Sequence, residues 1–152
     1  MPIKSTWLVK GHIIFAVSWG EVTPDEFAAT EAPMQQFLNN AEADFLHVVV
    51  DHSLLESLPR FQQMIQRAWG THPRLGWVIF YGVQSSVLAF QSSMTAQLLK
   101  VRLRFVDTLA DALTYLQQAD NTLPDLRAID MESIRAQLLA SGVPEHVLMG
   151  QT

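Results

Sequence analysis

The chain has 152 residues, 49% of them apolar and 16% charged, with ten Lys and Arg against fifteen Asp and Glu and a formal net charge of −5. That length suits one compact domain burying roughly two-thirds of its unfolded surface, and this hydrophobicity with so little charge excludes a disordered chain. The acidic balance excludes a general nucleic-acid binder, and the lack of any cysteine excludes a disulfide framework, a thiolate metal site and a cysteine nucleophile. Charge below the usual ~25% suggests that a partner covers part of the surface. The first ten residues lack a signal-peptide core, and no apolar run approaches the about 18 residues of a membrane span. The expectation is a cytoplasmic protein with no integral membrane segment.

Two β-rich runs, residues 6–10 and 12–19, flank Gly11 and read as a hairpin. In the second, Ile13, Phe15, Val17 and Trp19 alternate with His12, Ala16 and Ser18, the period of a sheet strand. Thr23-Pro24-Asp25-Glu26 is a helix start with a capping box and proline at the first helical position. Pro33 should kink or split the helix that follows. Residues 45–50 form an apolar run that ends at Asp51, as expected of a strand buried on both faces. Pro59 opens a helix with Phe61, Met64, Ile65 and Ala68 on one face, and residues 70–73 stop it. Residues 76–82 are a buried strand, and residues 85–100 a helix with Val87, Phe90, Met94 and Leu98 as its apolar face. Residues 101–106 alternate Val101, Leu103 and Phe105 with Arg102 and Arg104, whose charge would blunt a sheet edge. Thr108 caps a helix striped with Leu109, Ala112, Leu113 and Leu116.

The element order is β-β-α-β-α-β-α-β-α, which predicts an α/β fold with a mixed four- to five-stranded sheet and helices packed on it. Strands joined through helices should run parallel with right-handed crossovers. The stretch DNTLPDLR, residues 120–127, reads as a linker. It divides a domain over residues 1–120 from a C-terminal helical extension over residues 121–152. There Met131, Ile134, Leu138, Leu139, Val143, Val147 and Leu148 need an apolar surface, their own sheet or another subunit.

Over residues 5–118 this order resembles the STAS domain. The likeness is carried by the hairpin, Gly20-x-Val22-Thr23-Pro24-Asp25, Val48-Val49-Val50-Asp51-His52-Ser53, the strand from Trp77 to Tyr81, and Arg102-x-Arg104-Phe105-x-Asp107-Thr108-Leu109-x-x-Ala112-Leu113-x-x-Leu116. Within the family it looks most like the SpoIIAA-like, lipid-transfer-related branch of stand-alone bacterial proteins. The resemblance implies a regulatory module acting through protein contacts, and in some members a serine at the start of the second helix is a phosphorylation switch. Asp51-His52-Ser53 matches the strand end, but Leu54-Leu55-Glu56-Ser57-Leu58-Pro59 replaces the glycine-containing switch turn.

Ser57 and Ser53 are thus candidate phospho-switch residues. A phosphate there would meet a helix N-terminus, with Arg60 one turn on; the alternative is that Ser57 only caps that helix. Asp51 and His52, with His72, offer a carboxylate and imidazoles for acid–base or metal chemistry, but no ligand spacing supports a metal site, and Asp51 at a strand end more commonly bonds a loop. Leu54 and Leu55 read as adjacent loop residues that cannot both face inward, which makes one of them a contact for a partner or pocket. The basic residues Arg60, Arg67, Arg74, Lys100, Arg102 and Arg104 offer an anionic patch, or merely solvated charge. No nucleophile elbow, phosphate loop or dinucleotide fingerprint is present.

The first expectation is a non-enzymatic interaction module without cofactor, a homodimer or partner binder contacting through residues 51–60 and the tail. The second is a binding protein for a small apolar or anionic-headed ligand, its pocket lined by Leu54, Leu55, Phe61 and Phe90. A hydrolytic or metal-dependent enzyme using Asp51, His52 and His72 stands third.

Overall fold

The computed structural model describes residues 2–59 and 72–148. Strands β1 (Ile3–Val9) and β2 (Ile13–Glu21) form the expected antiparallel hairpin. Gly11, at φ +81°, occupies the left-handed region that the turn demands. Thr23 then caps α1 (Pro24–Ala28) with both bonds of a capping box: Glu26 N–H donates to Thr23 Oγ1 at 3.2 Å, and Thr23 N–H to Glu26 Oε1 at 3.1 Å. The helix does split, but at Ala29 and Thr30, so that Pro33 falls in the first turn of α2 (Glu31–Asn39). There its missing N–H costs no helical hydrogen bond.

β3 (Leu46–Ser57) pairs in parallel with β2 and with β4 (Leu75–Tyr81). It does not end at Asp51. Past a register shift it continues to pair, Leu54 with Trp19, Leu55 with Gly20 and Ser57 with Glu21. Leu54 and Leu55 are therefore strand residues, not loop residues. The pleat sends one out and one in: Leu54 is exposed, while Leu55 is buried with Val22 and Leu88. The helix expected after Pro59, with Arg60 and Phe61, lies outside the described residues.

α3 (Ser86–Leu99) turns a different face inward from the one its sequence suggests. Leu88 and Ser92 are buried, whereas Val87 and Phe90 are about two-thirds exposed (65% and 64%). β5 (Arg102–Val106) pairs in parallel with β4 and closes the sheet order β1-β2-β3-β4-β5. As an edge strand it carries the expected charges, each laid on an aromatic ring. Arg102 sits 5.0 Å from the Phe45 centroid and Arg104 4.2 Å from that of Tyr115. α4 (Leu109–Ala119) is capped by Thr108, whose Oγ1 accepts from Asp111 N–H at 3.1 Å.

The central strands are buried on both faces, as parallel strands must be. On one face Phe15, Val17, Val49 and Ile79 pack with Ala112 and Leu116 of α4. The tail joins that same cluster. A 3₁₀ turn (Leu126–Ala128) leads to α5 (Met131–Ala140) and, past Gly142, the short α6 (Glu145–Leu148). Leu123, Leu126, Ile134, Leu138, Val143, Val147 and Leu148 are all buried there. Of the two surfaces the tail was expected to need, it uses its own sheet, and Thr6 Oγ1 bonds Gln137 across the contact at 2.9 Å. On the opposite face Ile14, Ala16, Val48, Val50 and Val78 meet Met34 and Leu38 of α2. Among the described residues no helix is long and apolar enough to cross a membrane.

Candidate functional site: an apolar cleft with one buried imidazole

The described residues cover this second face only partly. Between α1, α2, the start of β1 and the α3–β5 region lies a cleft of about 700 Å³. Its floor is the sheet itself, with Ala16 and Ser18 from β2, Val48, Val50 and His52 from β3, and Val78 and Phe80 from β4. Phe27, Met34 and Phe37 wall one side, with Trp7 set edge-on to Phe37 at 5.0 Å between centroids. Lys4 is the one formally charged side chain among the described lining residues.

Strand alternation puts His52 in that floor, two and four residues after Val50 and Val48. The ring is 4% exposed and stacks on Phe80 at 4.4 Å between centroids. Its Nδ1 is buried and has no hydrogen-bond partner. Burial drives the imidazole pKa down to about 4, against the opposing charge of Asp51, so the ring is neutral at physiological pH.

Asp51 lies on the other face, paired in register with Tyr81. One carboxylate oxygen accepts the Ser53 N–H at 2.8 Å, so the bond expected to a loop is made within β3. Burial, and secondly the Asp51 charge, push the Tyr81 hydroxyl far above its ordinary value. His72 precedes β4 instead of following a strand, so it stands at the opposite end of the sheet, where its Nδ1 accepts the Arg74 N–H at 3.1 Å. The structure therefore does not assemble Asp51, His52 and His72 into one site. Among the described residues no group of three or more His, Asp or Glu side chains is placed to hold a metal.

Ser53 is half-buried, its Oγ filling the space a Cβ on Gly82 would need. Ser57 ends β3, and its carbonyl accepts the Val22 N–H at 3.0 Å. The helix it was expected to cap falls outside the described residues, as do Arg60 and Phe61. The pocket expected around Leu54, Leu55 and Phe90 does not form: Leu55 is core, Leu54 and Phe90 are exposed, and none of the three lines the cleft. Arg74 is engaged with the Ala41 carbonyl at 3.2 Å.

A second buried histidine, His47, belongs to no sequence motif. His47 Nδ1 accepts the Trp77 N–H at 2.9 Å, which leaves Nε2–H to donate to Asp120 at 2.8 Å. Burial lowers its pKa more than Asp120 raises it. For Asp120 burial acts upward, but bonds from Thr122 and His47 outweigh it and hold the carboxylate below its ordinary value. With both ring nitrogens engaged, His47 is a clasp between the sheet and the end of α4. Gly76 makes room for it, since a Cβ there would collide with the His47 ring.

Neither a protein-family model nor a curated protein matches the chain.

Proposed function

We propose that this protein binds a small, mainly apolar ligand in the cleft between α2, α3 and the sheet. The observation that carries the reading is the cleft itself. Its volume of about 700 Å³ lies inside the ~300–1,000 Å³ range of ligand pockets. Its lining is aliphatic and aromatic with a few polar groups, the composition such sites require. The interaction-module reading draws less support. Its contact surface was to be residues 51–60 and the tail. Asp51, His52 and Leu55 are buried, and the tail's apolar residues pack on their own sheet; Leu54 and Leu139 are the large apolar side chains exposed there among the described residues.

The test is titration of the purified protein with N-phenyl-1-naphthylamine, a neutral apolar dye that brightens out of water. One saturable site per chain is expected. Ala16→Phe, which places a ring in the cleft floor, should weaken binding at least about tenfold while the far-ultraviolet circular dichroism is kept. Non-saturable binding, or a folded Ala16→Phe variant with undiminished affinity, would contradict the reading.

A further inference from the structure

A side chain that lines the cleft carries a buried polar atom with nothing to bond. His52 Nδ1 is enclosed and unpartnered, in a side chain that is 4% exposed and forms part of the floor. Buried polar groups are almost always paired, so one left unpaired in the lining of a ligand-sized apolar cleft, a ring reorientation away from it, points to a ligand atom. Ser18 and Ser92, both buried, line the same space and supply two more hydroxyls. We propose that the occupant is an uncharged, mainly apolar molecule whose single hydroxyl docks on His52 Nδ1, with Ser18 and Ser92 alongside. The inference rests on the apolar-ligand reading and narrows it, because that reading left an anionic head group open.

Three observations select a neutral hydroxyl. First, a neutral imidazole nitrogen is a donor in one tautomer and an acceptor in the other, and a hydroxyl can answer either. Second, a carboxylate or phosphate at this depth would lose its hydration, and no cation among the described residues stands beside His52 to compensate. Lys4, the one charged side chain among the described lining residues, stands on β1, two strands and about 10 Å from β3. Third, Asp51 immediately precedes His52 on the same strand and is itself buried, so its field opposes an approaching anion.

Three shape-matched probes test this by equilibrium dialysis at pH 7.5: 2-naphthol, naphthalene and 2-naphthoate. The wild-type protein should bind 2-naphthol roughly tenfold tighter than naphthalene, the worth of one hydrogen bond, and 2-naphthoate weakest. His52→Phe keeps a ring on Phe80 but removes the nitrogen. It should bring 2-naphthol down to the level of naphthalene and leave naphthalene within about twofold of wild type, which also reports an intact cleft. If His52→Phe does not fold, the wild-type ranking decides together with His52→Gln, which should keep the 2-naphthol preference. Equal binding of 2-naphthol and naphthalene, 2-naphthoate binding tightest, or a preference that survives His52→Phe would overturn the hydroxyl assignment while leaving an apolar site. Failure of all three probes would overturn the apolar-ligand reading and this one with it.

Discussion

His47 and His52 lie five residues apart on β3, and the pleat sends them to opposite faces. Both are buried and both are neutral, yet their surroundings differ. His47 has a backbone donor on one nitrogen and Asp120 on the other; His52 lines the cleft with a buried Nδ1 that has no partner. Their shared burial fixes the sign of a pH effect. Each has a folded-state pKa below the unfolded 6.5, so the unfolded chain binds more protons as the pH falls through that window. Stability is therefore complete above about pH 6.5 and declines toward pH 4. For His52, with a folded value of about 4, the loss approaches ~3 kcal/mol. The depressed Asp120 acts below its ordinary 3.8, outside this window. Urea unfolding at pH 7.5, 6, 5 and 4 should show the decline, and His52→Phe should remove a large part of the slope. A flat wild-type profile would contradict it. The sequence displayed His52 but not its task. Motif spacing looks for partners along the chain, whereas this side chain stands out because its Nδ1 has no hydrogen-bond partner.

Element boundaries were legible wherever a local signal marks them, as at the Thr23 capping box, Thr108 and Gly11. They were misread where a distant strand decides. Asp51 looked like a strand end because it is charged, but β2 runs on to Glu21 and offers a backbone edge that carries β3 to Ser57. That extension places Leu55 beside Val22 and Leu88. The same small cluster explains why α3 turns Leu88 inward and leaves Val87 and Phe90 outside, a phase that the helix's own period could not reveal. The alternation yields a sharp contrast. Leu54→Lys replaces a side chain already 44% exposed and should change stability by no more than about 0.5 kcal/mol. Leu55→Lys buries an unpaired ammonium in place of a side chain 5% exposed and should cost upward of about 3 kcal/mol. Denaturant midpoints of the two variants measure the difference, and comparable losses would argue for the loop that the sequence suggested.

Across the whole molecule, the low charge content goes with a sheet that packs apolar side chains on both of its faces. The face under α4 and the tail is one continuous buried cluster; the face under α2 and α3 holds the cleft. A linker was expected at residues 120–127 because of its proline and aspartates, but Leu123 and Leu126, three apart, are both core. Loop composition and core membership are not exclusive, and only the packing separates them. Residues 121–148 contribute seven buried apolar side chains to the cluster that includes Phe15, Val17 and Leu8. At roughly 1.5–3 kcal/mol for each fully buried large apolar side chain, their removal forfeits an amount comparable with the ~5–15 kcal/mol stability of a typical domain. It also uncovers one face of β1 and β2. A chain ending at residue 120 should therefore lose its cooperative thermal transition, or aggregate through the bared sheet, instead of persisting as a folded monomer released from a dimer. Calorimetry and light scattering on the two chain lengths distinguish these outcomes. A truncated chain that melts cooperatively at the full-length temperature would show that the tail is an appendage and that the sheet closes without it.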